Sequence, residues 1–139
     1  MRALGIDFGE RRIGLAISDP EGLMALPLTT IERVSDHEAA KQIAAIAADE
    51  EVTLLVIGEP RAMDGTRGAA AERVAGFRSK LERLTGLACR VIDESLTSVA
   101  AEERLREAGV NPRENPGRID AIAAQILLQE ALDYPESSS

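Results

Sequence analysis

Leu-Gly-Ile-Asp-Phe-Gly-Glu-Arg-Arg-Ile-Gly-Leu-Ala-Ile-Ser-Asp, residues 4–19, holds two alternating runs around a short turn at Gly9 and Glu10. Leu4, Ile6 and Phe8 share one face of the first run; Ala3, Gly5 and Asp7 share the other. In the second run Ile13, Leu15 and Ile17 alternate with Gly14, Ala16 and Ser18. The pattern predicts a hairpin of strands 3–8 and 12–18, bulky on one face and small on the other. A small face lets a helix or a ligand approach the sheet closely. Asp7 lies on that face.

Outward from the hairpin, a third strand is expected over Ala25–Thr30, at an edge because of Pro27. Ser35 and Glu38 form a Ser-x-x-Glu capping box, opening a helix that runs to about Glu50. Leu54–Gly58 is a continuous apolar run, as in a buried parallel strand. Residues 59–68 read as a loop. The following helix reaches about Leu84, with Val74, Phe77, Leu81 and Leu84 on one stripe. Cys89–Asp93 is another strand, and Thr97 or Ser98 caps a helix to Ala108. The glycines and prolines of 109–117 indicate a loop. An alanine-rich helix covers Ile119–Leu132. The expected fold class is α/β: three antiparallel strands extended by parallel strands into a five-stranded mixed sheet, with helices on both faces. Residues 1–134 are expected to form a single domain, and 135–139 a disordered tail.

The chain has 139 residues, 45% hydrophobic and 29% charged, which is globular composition. No apolar run reaches the ~18 residues of a membrane span. The N-terminus runs straight into the first strand, so no leader is expected. Cys89 is the lone cysteine and His37 the lone histidine, which excludes an internal disulfide and a Cys/His zinc site. A reducing cytoplasm fits this usage.

The net charge of −8 argues against a general polyanion binder. It leaves room for local arginine clusters: of 16 basic residues, only Lys41 and Lys80 are not arginine. Arginine is the better bidentate phosphate ligand. With only Phe8, Phe77 and Tyr134 as aromatics, base stacking has little to work with. Any nucleic acid would be read by backbone and shape.

Three acids fall at informative places. Asp7 is near the end of the first strand, Glu94 follows the last strand, and Asp120 opens the last helix. Close packing of Ala121, Ala123 and Ala124 on the small face of the hairpin would bring Asp120 towards Asp7. Converging carboxylates suit Mg²⁺ or Mn²⁺, and such ions can activate water against a phosphodiester. No Gly-x-Ser-x-Gly and no Walker sequence offers another chemistry. Taken singly, each acid also reads as a cap or a solvated charge. Asp7 resists that reading most, since a carboxylate within an apolar strand is costly unless paired.

Residues 4–19, Met-Asp-Gly-Thr (63–66), Asp-Glu-Ser-Leu-Thr-Ser (93–98) and Arg-Ile-Asp-Ala-Ile-Ala-Ala (118–124) together resemble the YqgF/RuvX family. That family belongs to the ribonuclease H-like superfamily and is described as Holliday-junction resolvases or pre-16S rRNA nucleases. The resemblance runs in order from residue 4 to about 132. It implies a ribonuclease H-like fold and a divalent-metal nuclease with Asp7, Glu94 and Asp120 as metal-binding acids. It further implies phosphate contacts from Arg11, Arg12, Arg61, Arg67, Thr97 and Arg118; an ordinary solvated face remains an equal reading of the arginines. Three departures stand out. Ser95 replaces a usual arginine, Arg118 replaces a lysine, and Glu59 and Arg61 replace apolar residues. Glu59 becomes a candidate auxiliary metal or water ligand, with Asp93 beside the site.

The expected partners are structured RNA or branched DNA, ribosomal precursor particles among them, with no membrane, for a monomer or a homodimer. Endonuclease action on pre-16S rRNA is favoured over junction cleavage, because no dimer stripe and no wedge-forming aromatics are visible. A nucleotide-binding kinase-like domain and a non-catalytic binding module are the remaining alternatives.

Overall fold

The computed structural model describes residues 1–59, 68–93, 97–111, 114 and 116–134. Strands β1 (Ala3–Phe8), β2 (Arg12–Ser18) and β3 (Ala25–Glu32) precede helix α1 (Asp36–Asp49) and strand β4 (Leu54–Glu59). Helix α2 (Ala69–Thr85), strand β5 (Cys89–Asp93) and helices α3 (Thr97–Glu107) and α4 (Pro116–Asp133) follow. The sheet order is β3-β2-β1-β4-β5. β1/β2 and β2/β3 pair antiparallel, while β4 pairs parallel with both β1 and β5. This is the expected α/β mixed sheet.

The alternation of the hairpin divides the core in two. Leu4, Ile6, Phe8, Ile13 and Leu15 join Leu55 and Ile57 under α1 and α2, which contribute Ile43, Val74, Phe77 and Leu81. On the opposite face Ala3, Ala16, Val56 and Ile92 pack with Ala124, Leu127, Leu128 and Ala131 of α4. Large side chains on one face and small ones on the other thus decide which helices sit far from the sheet and which sits close. Phe8 and Phe77 stack with centroids 4.3 Å apart, so two of the three aromatics are spent on the core.

β3 is an edge strand, and Pro27 is tolerated there. Pro27 stands opposite Ala16 and Thr29 opposite Leu15, so Leu28 is the extra residue of a bulge. Two glutamines of α4 tie this edge down. Gln129 Oε1 accepts from the Ala25 N–H at 2.8 Å, and Gln125 Nε2 donates to the Ala25 carbonyl at 3.0 Å.

Three boundaries and one buried stripe differ from the sequence expectations. β3 continues to Glu32, because the edge keeps pairing with β2 as far as Arg12. Leu84 leaves the buried stripe of α2 and is 45% exposed; it belongs to the last turn, before Gly86 ends the helix at φ +70°. α3 already begins at Thr97, so Thr97 is its first residue and not its cap. α4 begins at Pro116, not Ile119. A proline in the first helical turn forfeits no hydrogen bond, so the loop-like Pro-Gly pair is absorbed into the helix. Asp120 therefore sits in the second turn and does not open the helix. Residues 135–139, expected as a disordered tail, lie outside the described residues, as does most of the expected 59–68 loop.

Candidate active site

Asp7 stands directly opposite Gly14 in the β1/β2 ladder, so its side chain and the vacant β-position of Gly14 share a face. α4 crosses at that vacancy. A β-carbon at Gly14 would lie 1.9 Å from the Asp120 carbonyl oxygen. Gly5 makes the same allowance one layer further in, where a β-carbon would meet Leu128 Cβ at 2.7 Å. The absence of side chains at Gly5 and Gly14 thus brings the second turn of α4 down onto the hairpin. Asp7 and Asp120, distant in sequence, arrive at the same end of the same face.

Arg12 joins them. It shares the face of Gly14 and Ala16 by alternation, and its Nε donates to Asp120 Oδ2 at 2.6 Å. A hollow of about 230 Å³ is lined by Gly9, Glu10, Arg11, Arg12 and Asp120. Arg11 is exposed beside it. Arg118 is exposed too, but lines a neighbouring hollow of about 550 Å³ between β3 and the start of α4, with Thr29, Thr30 and Ala121. Thr30 Oγ1 anchors that region by donating to the Gly117 carbonyl at 2.5 Å.

The turn carrying Arg11 and Arg12 is stapled from outside. The Gly9 N–H donates to the Arg12 carbonyl at 3.1 Å, and the Arg33 N–H to the Arg11 carbonyl at 2.8 Å. Arg33 also reaches the Gly9 carbonyl with Nη1 at 3.2 Å and donates from Nε to Asp36 Oδ1 at 2.7 Å. Its guanidinium lies 4.2 Å from the Phe8 ring centroid. Sequence reasoning missed Arg33. The available signal was an arginine three residues before Asp36, at the end of an apolar strand, and nothing linear ties that residue to Phe8 or Gly9.

Glu59 and Asp93 stand opposite each other at the ends of β4 and β5. Strand alternation places them with Leu55, Ile57 and Cys89, the α1/α2 side, whereas Asp7 faces α4. The structure does not bring them onto the Asp7 face. Glu94, Arg61 and Arg67 lie outside the described residues, and so does the side chain of Thr97. Among the described residues no group of three or more His, Cys, Asp or Glu gathers to hold a metal ion. Asp7 and Asp120 nonetheless fit a hard divalent cation as donors. Mg²⁺ commonly takes one or two carboxylates and keeps waters for its remaining positions.

Cys89 is buried against the α1/α2 core, and desolvation pushes its thiol up to about 12. His37 is exposed on the first turn of α1. Neither faces Asp7. Among the described residues, no helix is long and apolar enough to cross a membrane.

Comparison with known proteins identifies the family and the fold. A "Putative pre-16S rRNA nuclease" of Crocosphaera subtropica is 46% identical over 136 residues, covering 98% of this chain and 95% of the relative. One of the same name from Anaeromyxobacter sp. is 44% identical, covering 96% and 97%. Among solved structures, Thermus thermophilus RuvC bound to a Holliday junction substrate superposes with a TM-score of 0.63 at 17% identity, covering 97% and 95%. The Fowlpox virus resolvase with junction DNA gives 0.61 at 8% identity, covering 99% and 100%. These two share the fold, which is ribonuclease H-like. The family model described as "RuvX: Holliday junction resolvase" matches residues 1–134, and the chain belongs to that family.

Proposed function

We propose that the chain is an endonuclease that hydrolyses phosphodiester bonds in structured nucleic acid, with pre-16S rRNA as its substrate in the cytoplasm. The observation that carries this reading is that Asp7 pairs with Gly14 and the backbone of Asp120 crosses at that same glycine, with Arg11 and Arg12 on the adjoining turn. The names of the relatives favour the RNA precursor.

In this reading Asp7, Glu94 and Asp120 hold Mg²⁺ or Mn²⁺. A bound ion of that kind supplies Lewis-acid activation of water and offsets charge at the phosphate. Asp7 is fixed by the β1/β2 ladder, and Asp120 by the close contact of α4 with the sheet. Rigid elements of this kind hold a site to sub-ångström tolerance better than loops do. Arg11 and Arg12 would take phosphate oxygens, Arg12 with the planar geometry that suits them. The buried Phe8–Phe77 pair leaves Tyr134 as the one exposed aromatic among the described residues. Recognition by backbone and shape follows, which suits folded RNA.

Junction DNA is the second reading, favoured by the description of the family model. The test is cleavage by wild type and Asp7→Asn, with Mn²⁺ or Mg²⁺, on a four-way DNA junction and a pre-16S-type RNA in parallel. Metal-dependent cutting of the RNA, lost in Asp7→Asn, is the expected result. Preference for the junction would replace the substrate. Cutting retained by Asp7→Asn would refute the site.

A further inference from the structure

The contact between Arg12 and Asp120 has a consequence for how the site fills. The Nε···Oδ2 distance of 2.6 Å is that of a strong charge-assisted hydrogen bond. Its two partners are unequally placed: the Arg12 side chain is 40% exposed and that of Asp120 21%. A half-solvated ion pair adds little to folding stability. Its effect should fall on whatever else seeks the same carboxylate.

We propose that Arg12 is a resident counter-cation of Asp120 which a divalent ion must displace, so that loading of the site releases the guanidinium towards the substrate phosphate. The inference rests on the metal-site reading above. Three observations support it. Arg12 occupies an oxygen of one of the two described carboxylates that reading assigns to the ion. The hollow that Arg12 shares with Gly9, Glu10, Arg11 and Asp120 opens beside it, giving the freed side chain somewhere to go. The turn itself is pinned by Arg33 through the carbonyls of Gly9 and Arg11, so the Arg12 side chain can swing while its backbone stays in place. A monovalent and a divalent cation crowded onto one carboxylate repel each other, and the divalent one prevails at sufficient concentration. Without its metal Asp120 is then neutralised by Arg12; once loaded, the site presents that cation to the phosphate.

The test is Mn²⁺ binding in the absence of nucleic acid, followed by the electron paramagnetic resonance of the free ion, for wild type, Arg12→Gln, Arg12→Lys, Asp7→Asn and Asp120→Asn. Arg12→Gln is expected to bind Mn²⁺ about fivefold tighter than wild type, with the difference shrinking as salt rises. Arg12→Lys should fall between them. Adding Arg12→Gln to Asp120→Asn should change nothing further. On the wild type, Mg²⁺ titration followed at the Arg12 Nε–H by nitrogen-15 NMR should convert a protected signal into a fast-exchanging one. Equal or weaker Mn²⁺ binding by Arg12→Gln, or an Arg12 Nε–H unmoved at saturating Mg²⁺, overturns the inference while leaving the metal site intact. Wild-type affinity in both Asp7→Asn and Asp120→Asn removes the metal site, and the inference with it.

Discussion

A β-carbon at Gly14 would sit 1.9 Å from the Asp120 carbonyl, while one at Gly117 would meet nothing closer than Thr30 at 3.8 Å. Gly14→Ala should therefore cost at least about 3 kcal/mol, since neither backbone can yield without lifting α4. Gly117→Ala should stay within about 1 kcal/mol of wild type and tend to stabilise, through helix propensity. Urea unfolding of both variants checks the pair. Glu59→Gln should leave Mn²⁺ affinity unchanged, because Glu59 lies on the α1/α2 side of β4; a several-fold loss in a Mn²⁺ titration would return it to the site. Cys89 carries a pH prediction. Its thiol titrates near 12 in the folded chain, against an ordinary value near 9. Above pH 9 the unfolded chain releases this proton and the folded chain does not, so the contribution of Cys89 is complete below pH 9 and declines as pH rises towards 12. Cysteine labelling at pH 8 should be negligible until denaturant is added.

At the scale of elements, much was legible from side-chain period alone. The alternation within residues 3–18 identified the hairpin, its small face and the position of Asp7 on it. The continuous apolar run at 54–58 identified the buried parallel strand. Ser35 was legible as a cap, and its Oγ accepts from the Glu38 N–H at 3.1 Å. Ser35→Ala should cost about 1 kcal/mol, read as a lowered denaturation midpoint. The start of α4 was misread because Pro-Gly signals a break in isolation, whereas proline at a helix start is neutral. The clamping of Ala25 by Gln125 and Gln129, like the seat of Arg33 on Phe8, joins residues distant in sequence. Such contacts leave no local period to read. Glu59 and Asp93 were legible as acids at strand ends, but their side of the sheet depended on the parallel register with β1 and β5, which pairing alone decides.

For the whole molecule, the site and the fold share the same contacts. α4 packs on β1, β2, β3 and β4, and the same packing carries Asp120 to Gly14, the partner of Asp7 in the sheet. A ligand that binds only the closed arrangement must stabilise the whole chain, by about 2.7 kcal/mol at a hundred times its dissociation constant. Mg²⁺ should thus raise the melting temperature of the wild type and leave that of Asp7→Asn unmoved, as calorimetry would show. The net charge of −8 has its own effect. Under the proposed function, binding to nucleic acid would rest on a few arginines beside the site and should weaken steeply between 50 and 200 mM salt (about tenfold or more).

Arg12 and Asp120 are joined across 108 positions of sequence. During synthesis the hairpin emerges before α4, and its small face stays uncovered by that helix until α4 clears the exit tunnel. The Gly5 and Gly14 notches are then vacant, and Asp7 has no Asp120 beside it. Chains stalled or clipped before α4 would carry the first carboxylate without the second. Under the proposed activity they would be harmless to the RNA around them, and competence would arrive in a single event, when the final helix docks.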